Sequence, residues 1–227
     1  MSRIVERDLE ALRELGLRMA GLSEAILGKA VEAVSRRDTQ LADEVHSDDL
    51  AIDRLDIEID EAVLEILALQ APVARDLRAV IGVKSVATDL ERVGDLARNI
   101  AKSAARLANR PKVPVPPRLE QLADESRRQL RLALDAFASA DTQAARRVLA
   151  GEALVDEHQD TVVREALGEL QSHPDISPQE VDFILIAKSL ERVADHATNI
   201  AEEVVRIAES RNLKHAEKLA GRAASDD

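Results

Sequence analysis

Acidic residues occur in pairs with four-residue spacing at four places in this sequence. In a helix, that spacing places both carboxylates of a pair on one face, about one turn apart. Carboxylate oxygens are the ligands that hard cations such as ferric iron, manganese, magnesium or calcium prefer. The sequence therefore predicts metal ligands at four pairs: Asp49/Asp53, Glu91/Asp95, Glu152/Asp156 and Glu191/Asp195.

The first of these pairs belongs to a longer row of aspartates beside the apolar face of a predicted helix. The row consists of Asp49, Asp53, Asp56 and Asp60. Like charges three or four residues apart on a helix repel each other by about 0.2–0.5 kcal/mol per pair. Asp is also a poor helix former beyond the first turn, where the helix dipole would stabilise it. The row is therefore locally unfavourable, and a bound cation would relieve the repulsion.

Two interpretations without a metal remain open for the acidic pairs. Charged pairs at this spacing are common on solvated helix faces, and Arg92 and Arg192 could neutralise the neighbouring acids. Asn99 and Asn199 lie two turns beyond the glutamates on the same row. We expect these amides either to hydrogen-bond metal ligands from outside or to bond a neighbouring helix. His196 points away from the acidic row, which favours packing or a partner contact.

Long helices must position these acids, because apolar residues recur at three- and four-residue spacing through most of the chain. The predicted helices cover residues 3–37, 39–70, 73–109, 117–140, 141–171 and 177–210. The segment NRPKVPVPPR between the third and fourth helices contains four prolines, which cannot continue a helix. This segment is therefore the predicted linker between two halves.

The second half of the chain repeats the first. The phrase ERVGDLARNIA, starting at Glu91, returns as ERVADHATNIA, starting at Glu191, and RDTQLADEV returns as ADTQAARRV. Asp38 and Asp141 occupy equivalent positions before a helix in the second match, so both are predicted N-caps. Two separated matches indicate internal duplication. The predicted fold is all-α, with tandem three-helix bundles at 1–110 and 111–212 and a disordered tail at 213–227.

The composition excludes several classes of protein. Hydrophobic residues make up 45% of the chain but aromatic residues only 1%, which is typical of a helical bundle with an aliphatic core. The absence of Cys excludes disulfides and thiolate metal sites, and fits the cytosol. The net charge of −12 argues against a nucleic-acid partner. No apolar run is long enough to span a membrane, and the first residues lack a secretory signal.

Sequence motifs for catalysis are also missing. The chain has no Gly-rich phosphate-binding loop and no Cys nucleophile. Di-iron enzymes of helical bundles use Glu-x-x-His pairs, and none occurs beside the acidic pairs. We therefore predict that the protein is not an enzyme. A purely structural helical scaffold and a ferritin-like metal-dependent oxidase are the alternatives.

The motifs DLERVGDLARNIAK and SLERVADHATNIAEE, with QAPVARDLR before the first, resemble the PhoU family of bacterial phosphate-signalling regulators. The resemblance covers nearly the whole chain. It implies two similar three-helix bundles that associate as a homodimer. It also implies multinuclear metal clusters on the bundle surface, held by the four acidic pairs. The metal is left open among iron, manganese, zinc and magnesium.

The resemblance further implies a function. PhoU-like proteins are cytoplasmic negative regulators of phosphate uptake and phosphate-starvation signalling. They bridge the ATPase subunit of an ABC phosphate transporter and a sensor histidine kinase, so that they reach the membrane only through partners. The two halves differ from each other at two places. Ala194 stands at the position equivalent to Gly94, and the motif of Pro72, Leu77 and Arg78 has no copy in the second half. These differences weaken the expectation that both halves bind the same partner.

Overall fold

The structure, a computed structural model, describes residues 3–209, which form helices without any strand. The helices are α1 (Arg3–Arg36), α2 (Thr39–Gln70), α3 (Ala74–Ala108), α4 (Pro117–Ser139), α5 (Thr142–Leu149), α6 (Glu152–Ser172) and α7 (Ser177–Glu209), with a 3₁₀ turn at Pro174–Ile176. The predicted all-α class is confirmed. The predicted tail, 213–227, lies outside the described residues.

Both predicted N-caps are confirmed. The Asp38 carboxylate accepts hydrogen bonds from the backbone N–H groups of Gln40 and Leu41 at 2.9 and 3.1 Å. The Asp141 carboxylate accepts the equivalent bonds from Gln143 and Ala144 at 2.8 and 3.0 Å. These bonds satisfy N–H groups that have no partner within the helix, so the second helical segment of each half begins in the same way.

One prediction about the second half is wrong. The single helix predicted over 141–171 is two helices, α5 and α6, separated at Ala150 and Gly151. The buried side chain of Gln129 from α4 packs against this break, since a Cβ at Gly151 would lie only 1.7 Å from Gln129 Nε2. Glycine leaves room for this amide and weakens the helix there. The second half therefore contains four α-helices where three were predicted.

The two halves pack against each other through α3 and α7, which run antiparallel. Near the start of α3, Gly82 lies against Ile207 near the end of α7. Near the end of α3, Arg106 donates to Asp182 near the start of α7. Helix α1 packs on α4 beside this pair. Helix α2 therefore packs at the outside on α1 and α3, and α6 packs at the outside on α4 and α7.

The buried core is continuous across both halves and consists mainly of Ala, Val, Leu and Ile. The two phenylalanines of the chain, Phe137 and Phe183, are both buried in it. Small alanines recur on the buried faces of α3 and α7, and they allow helices to approach closely. Within residues 3–209, none of the helices combines the length and the apolar content needed to cross a lipid bilayer.

Candidate metal centres at two acidic patches

The first acidic patch, Asp49, Asp53, Glu91 and Asp95, lies where α2 packs on α3. Burial raises the pKa of Glu91, and the negative charge of Asp95 raises it further. Asp56 and Asp53 on the facing helix also raise the pKa of Glu91, whereas Arg92 lowers it. Carboxylates of α2 and α3 therefore repel one another across the helix contact.

Asp49 is the buried member of this patch, with 1% of its surface exposed. Its Oδ2 accepts a hydrogen bond from Arg98 Nη1 at 2.6 Å, and Arg98 Nη2 also donates to Asp95 Oδ1. Burial raises the pKa of Asp49, and the charge of Arg98 opposes this rise. A single guanidinium from α3 therefore bridges one acid of each predicted pair.

Gly94 makes the burial of Asp49 possible. A Cβ at Gly94 would lie 2.9 Å from Asp49 Oδ1 and 3.2 Å from Ile52 Cδ1. Contacts this short require the neighbouring atoms to move. In the second half Ala194 takes the place of Gly94, and there the equivalent acid, Glu152, is exposed. The change from glycine to alanine between the two repeated phrases therefore accompanies a difference in burial, because the Asp49 carboxylate is buried and the Glu152 carboxylate is exposed.

Two further basic side chains neutralise the aspartate row of α2 and the acids of α3. Lys84 Nζ lies 3.0 Å from Asp56 Oδ1 and 2.6 Å from Asp60 Oδ1. Arg92 lies 3.3 Å from Glu91 and 3.2 Å from Asp95, as the alternative interpretation expected. Arg98 and Lys84 were missed as partners. Arg98 could have been found from its position three residues after Asp95, whereas nothing local indicates that Lys84 reaches α2.

The second acidic patch, Glu152, Asp156, Glu191 and Asp195, lies where α6 packs on α7. Three of its members are exposed and Glu191 is half-buried. Burial raises the pKa of Glu191, followed by the charges of Asp195 and of Asp156 on the facing helix. Arg192 and Lys188 oppose this rise. The same cross-helix repulsion therefore operates in both halves.

The second patch differs from the first in its basic residues. Thr198 stands at the position equivalent to Arg98, and Ile184 at the position equivalent to Lys84. Neither side chain can neutralise a carboxylate. The second patch therefore lacks the guanidinium that bridges α2 and α3 in the first half.

The donor chemistry of both patches fits a hard cation, since each supplies carboxylates from two helices whose negative charges raise the pKa of one glutamate, Glu91 or Glu191. As the side chains stand, no three or more Asp, Glu or His residues within 3–209 are arranged to hold one ion. Binding would require side-chain rotation in both patches. In the first patch it would also require Arg98 to release Asp49 and Asp95.

The two asparagines occupy different environments. Asn99 is exposed on α3. Asn199 of α7 donates a hydrogen bond to Asp89 Oδ1 of α3 at 3.1 Å, which is the bond between helices that the sequence analysis gave as one alternative. His196 Nδ1 lies 2.8 Å from the same oxygen. His196 and Asn199 therefore join the two halves, and Asp89 is the partner that sequence analysis missed.

Comparisons with known proteins find relatives that match most of the chain. The model of the PhoU domain matches twice, at residues 17–104 and 119–204. The phosphate-specific transport system accessory protein PhoU homolog of Caulobacter vibrioides is 35% identical over 186 residues, covering 82% of this chain and 81% of that protein. The corresponding protein of Pseudomonas putida is 33% identical over 216 residues, covering 95% and 84%.

Solved structures show the same fold. The crystal structure of PhoU from Pseudomonas aeruginosa matches with a TM-score of 0.88 and 33% identity, covering 91% of this chain and 99% of that one. The phosphate transport system regulatory protein PhoU from Streptococcus pneumoniae matches with a TM-score of 0.85 and 27% identity, covering 92% and 99%. With its duplicated domain, its helical architecture and these relatives, this chain belongs to the PhoU family.

Proposed function

We propose that this protein is a regulatory adaptor that represses phosphate uptake and phosphate-starvation signalling when phosphate is plentiful. The observation that carries the proposal is the match of both repeats to the PhoU domain. Relatives that the chain covers over most of their length are named as accessory or regulatory proteins of phosphate transport. An adaptor role also suits a fold that consists of long, exposed helices around a filled aliphatic core.

The proposed partners are the ATPase subunit of an ABC phosphate transporter and a sensor histidine kinase. The first is supported by the names of the relatives, which place those proteins with a phosphate-specific transport system. The second rests on the family resemblance. We further propose that the protein is a cytoplasmic homodimer that reaches the membrane only through these partners. Its net charge of −12 is unsuited to a nucleic-acid partner.

We also propose that both acidic patches bind hard cations. The ligands would be Glu152, Asp156, Glu191 and Asp195, with Asp49, Asp53, Glu91 and Asp95 in the first half. The support is the negative charge of the facing helix, which raises the pKa of Glu191 in one patch and of Glu91 in the other. A bound ion would neutralise these acids and offer a coordination position to an anionic partner group.

A deletion strain tests the regulatory proposal. In a host without a second copy of the gene, deletion should leave a phosphate-starvation reporter active in phosphate-rich medium, and the intact gene should restore repression. Affinity purification from rich and starved cells should recover the kinase and the ATPase subunit in phosphate-dependent amounts. Normal repression in the deletion strain would refute the proposal. Oxygen consumption by the iron-loaded protein would instead favour the oxidase.

A further inference from the structure

Helix α2 exposes a row of large apolar side chains. Leu50, Ile57 and Leu64 follow one another at seven-residue spacing, and 45%, 59% and 66% of their surfaces are exposed. Seven residues are almost two helical turns, so the three side chains form a straight row with steps of about 10.5 Å. We refer to these three residues as the α2 stripe.

The α2 stripe takes no part in the bundle core. The core face of α2 is formed by other residues, including Ile52, Ile59 and Val63, which are at most 6% exposed. At about 100° per residue, the α2 stripe lies on the opposite side of the helix from that face. Single apolar residues on a surface are ordinary, but three large exposed side chains aligned on one helix face favour an interaction site. The row supplies one apolar residue per heptad, which is half the number in a coiled-coil seam.

Acidic side chains border the α2 stripe on both sides. Glu58, Glu61 and Glu65 follow one edge, and all three are exposed, with no basic side chain paired to them in the described part of the chain. The other edge carries Asp53 and Asp60, of which Asp60 is paired with Lys84 of α3 at 2.6 Å. Arg54, one turn before Glu58, is the only Lys or Arg of α2. The surface around the stripe is therefore apolar along its centre and acidic along its edges, with most of the negative charge on the glutamate edge.

This charge pattern decides between two occupants. A second copy of α2 would place the same acidic edges against each other, and like charges at the edges of a helical pair oppose its formation. A helix with apolar residues at seven-residue spacing and Lys or Arg on either side would satisfy both the apolar centre and the acidic edges. We propose that the α2 stripe is the docking surface for a basic amphipathic helix of a partner protein. The inference rests on the proposed adaptor function and assigns it a binding surface.

The second half of the chain does not repeat this surface. The positions equivalent to the α2 stripe are Ala153, Asp160 and Leu167, so the middle of the row is charged. Leu154 and Leu167 are 43% and 51% exposed, but they do not form a row with that spacing. The docking surface therefore belongs to the first half alone, and α6 provides a matched control.

Binding of a designed peptide to the purified full-length protein tests the inference. The probe is a labelled helical peptide of about three heptads, with Leu at the core positions and Lys at the edge positions. A second peptide carries Glu in place of the Lys. At physiological ionic strength, fluorescence anisotropy should show binding of the Lys peptide, and the Glu peptide should bind at least about tenfold more weakly.

Glutamine substitutions locate the binding site. The triple variant Leu50→Gln/Ile57→Gln/Leu64→Gln should weaken Lys-peptide binding by at least about tenfold, because it removes the apolar centre and leaves every acid in place. The control Leu154→Gln/Leu167→Gln should change affinity by less than about twofold. Thermal melts of both variants should match the parent, since all five side chains are substantially exposed.

Three results would overturn the inference. Failure of the Lys peptide to bind the parent protein is the first. An equal effect of the α2 and α6 substitutions is the second, since equal losses would mean that the peptide binds exposed apolar side chains on either helix, and no loss in either variant would mean that it binds the acidic surface in general. The third is a homodimer that Ile57→Lys dissociates in sedimentation experiments, because the occupant would then be a second copy. None of these outcomes depends on the repression of phosphate-starvation genes in cells. The adaptor proposal is therefore tested separately, by the deletion strain.

Discussion

Gly94 of α3 lies directly against Asp49 of α2, because a Cβ on Gly94 would approach Asp49 Oδ1 to 2.9 Å. The buried carboxylate and the missing side chain thus depend on each other. Arg98, one turn further along α3, holds the other oxygen of Asp49 at 2.6 Å. The repeated phrase of the second half has neither the glycine nor the arginine, and its equivalent acid, Glu152, is exposed.

The close contact predicts that Gly94→Ala destabilises the protein. Overpacking costs about 1–3 kcal/mol, and the better helix propensity of Ala returns at most about 1 kcal/mol. We expect a loss of about 1 kcal/mol in the free energy of unfolding, measured by urea denaturation. The control is Gly21→Ala, where nothing lies within 4 Å of the new Cβ; this variant should gain about 0.5–1 kcal/mol. Equal gains in both variants would contradict the prediction.

The Asp182 carboxylate joins the two halves, and we predict that its removal destabilises the protein more than removal of either arginine partner. It is 2% exposed and accepts hydrogen bonds from Arg106 Nε at 2.7 Å and from Arg110 Nη1 at 2.6 Å. Asp182→Ala should cost about 3 kcal/mol, because it removes the shared anion of two ion pairs. Arg106→Ala should cost only about 1–2 kcal/mol, since Arg110 still pairs with Asp182. Denaturation curves that place Arg106→Ala at or above Asp182→Ala would contradict this order.

Exchanging Arg98 and Thr198 tests the proposed metal centres. Thr198→Arg should lower the metal content of the second patch, because it introduces a competing cation beside the carboxylates. Arg98→Thr should raise metal content in the first patch and destabilise the metal-free protein, since Asp49 loses its partner. Elemental analysis measures the content. Thermal melts with and without chelator measure the stabilisation, which is about 2.7 kcal/mol at a hundredfold excess of ion over Kd.

Asp53→Asn/Asp95→Asn supplies the complementary variant for the first patch. If these carboxylates bind an ion, the double variant should lose that ion and melt at a lower temperature in its presence. If they bind no ion, metal content should be unchanged and added metal should not change the melting temperature, while the loss of the Asp95 ion pairs with Arg92 and Arg98 offsets the relief of repulsion in the metal-free protein. The second outcome would end the proposal for the first patch, and Asp156 and Asp195 would be tested separately.

The raised pKa of Glu191 predicts a pH dependence of stability in the metal-free protein. Its folded pKa lies above its ordinary value of 4.5, so protonation favours the folded state. This contribution is fully present below the ordinary pKa and is lost as pH rises through the folded pKa. Glu191→Gln should therefore stabilise the chelator-treated protein near pH 7, by about 0.2–0.5 kcal/mol for the repulsion removed, and should reduce the gain on acidification.

Thermal melts in chelator, from below the ordinary pKa of 4.5 to near pH 7, measure the pH dependence of stability. The control is Glu165→Gln, a substitution at an exposed position of α6. The control should leave the pH dependence of the melting temperature close to that of the parent. A Glu191→Gln variant that is no more stable than the parent near neutral pH would mean that the charged carboxylate is not destabilising in the folded protein.

Sequence alone determined the features of this protein that depend on near neighbours in the chain. The helices, both N-caps and the four acidic pairs follow from interactions over two to four residues, such as those of Asp38 with Gln40 and Leu41. The duplication follows from repeated phrases. Such features are encoded locally, so the periodicity of the chain was sufficient to predict them.

Tertiary structure decided the features that depend on distant segments. The break between α5 and α6 lies where Gln129 of α4 packs against Gly151, a contact that the local sequence does not show. Lys84 neutralises Asp56 and Asp60 of another helix, and Asp89 joins His196 and Asn199 across the two halves. These contacts depend on which helix faces meet and in what register. That information lies in the packing of the whole chain, because the same local sequence is compatible with several partners.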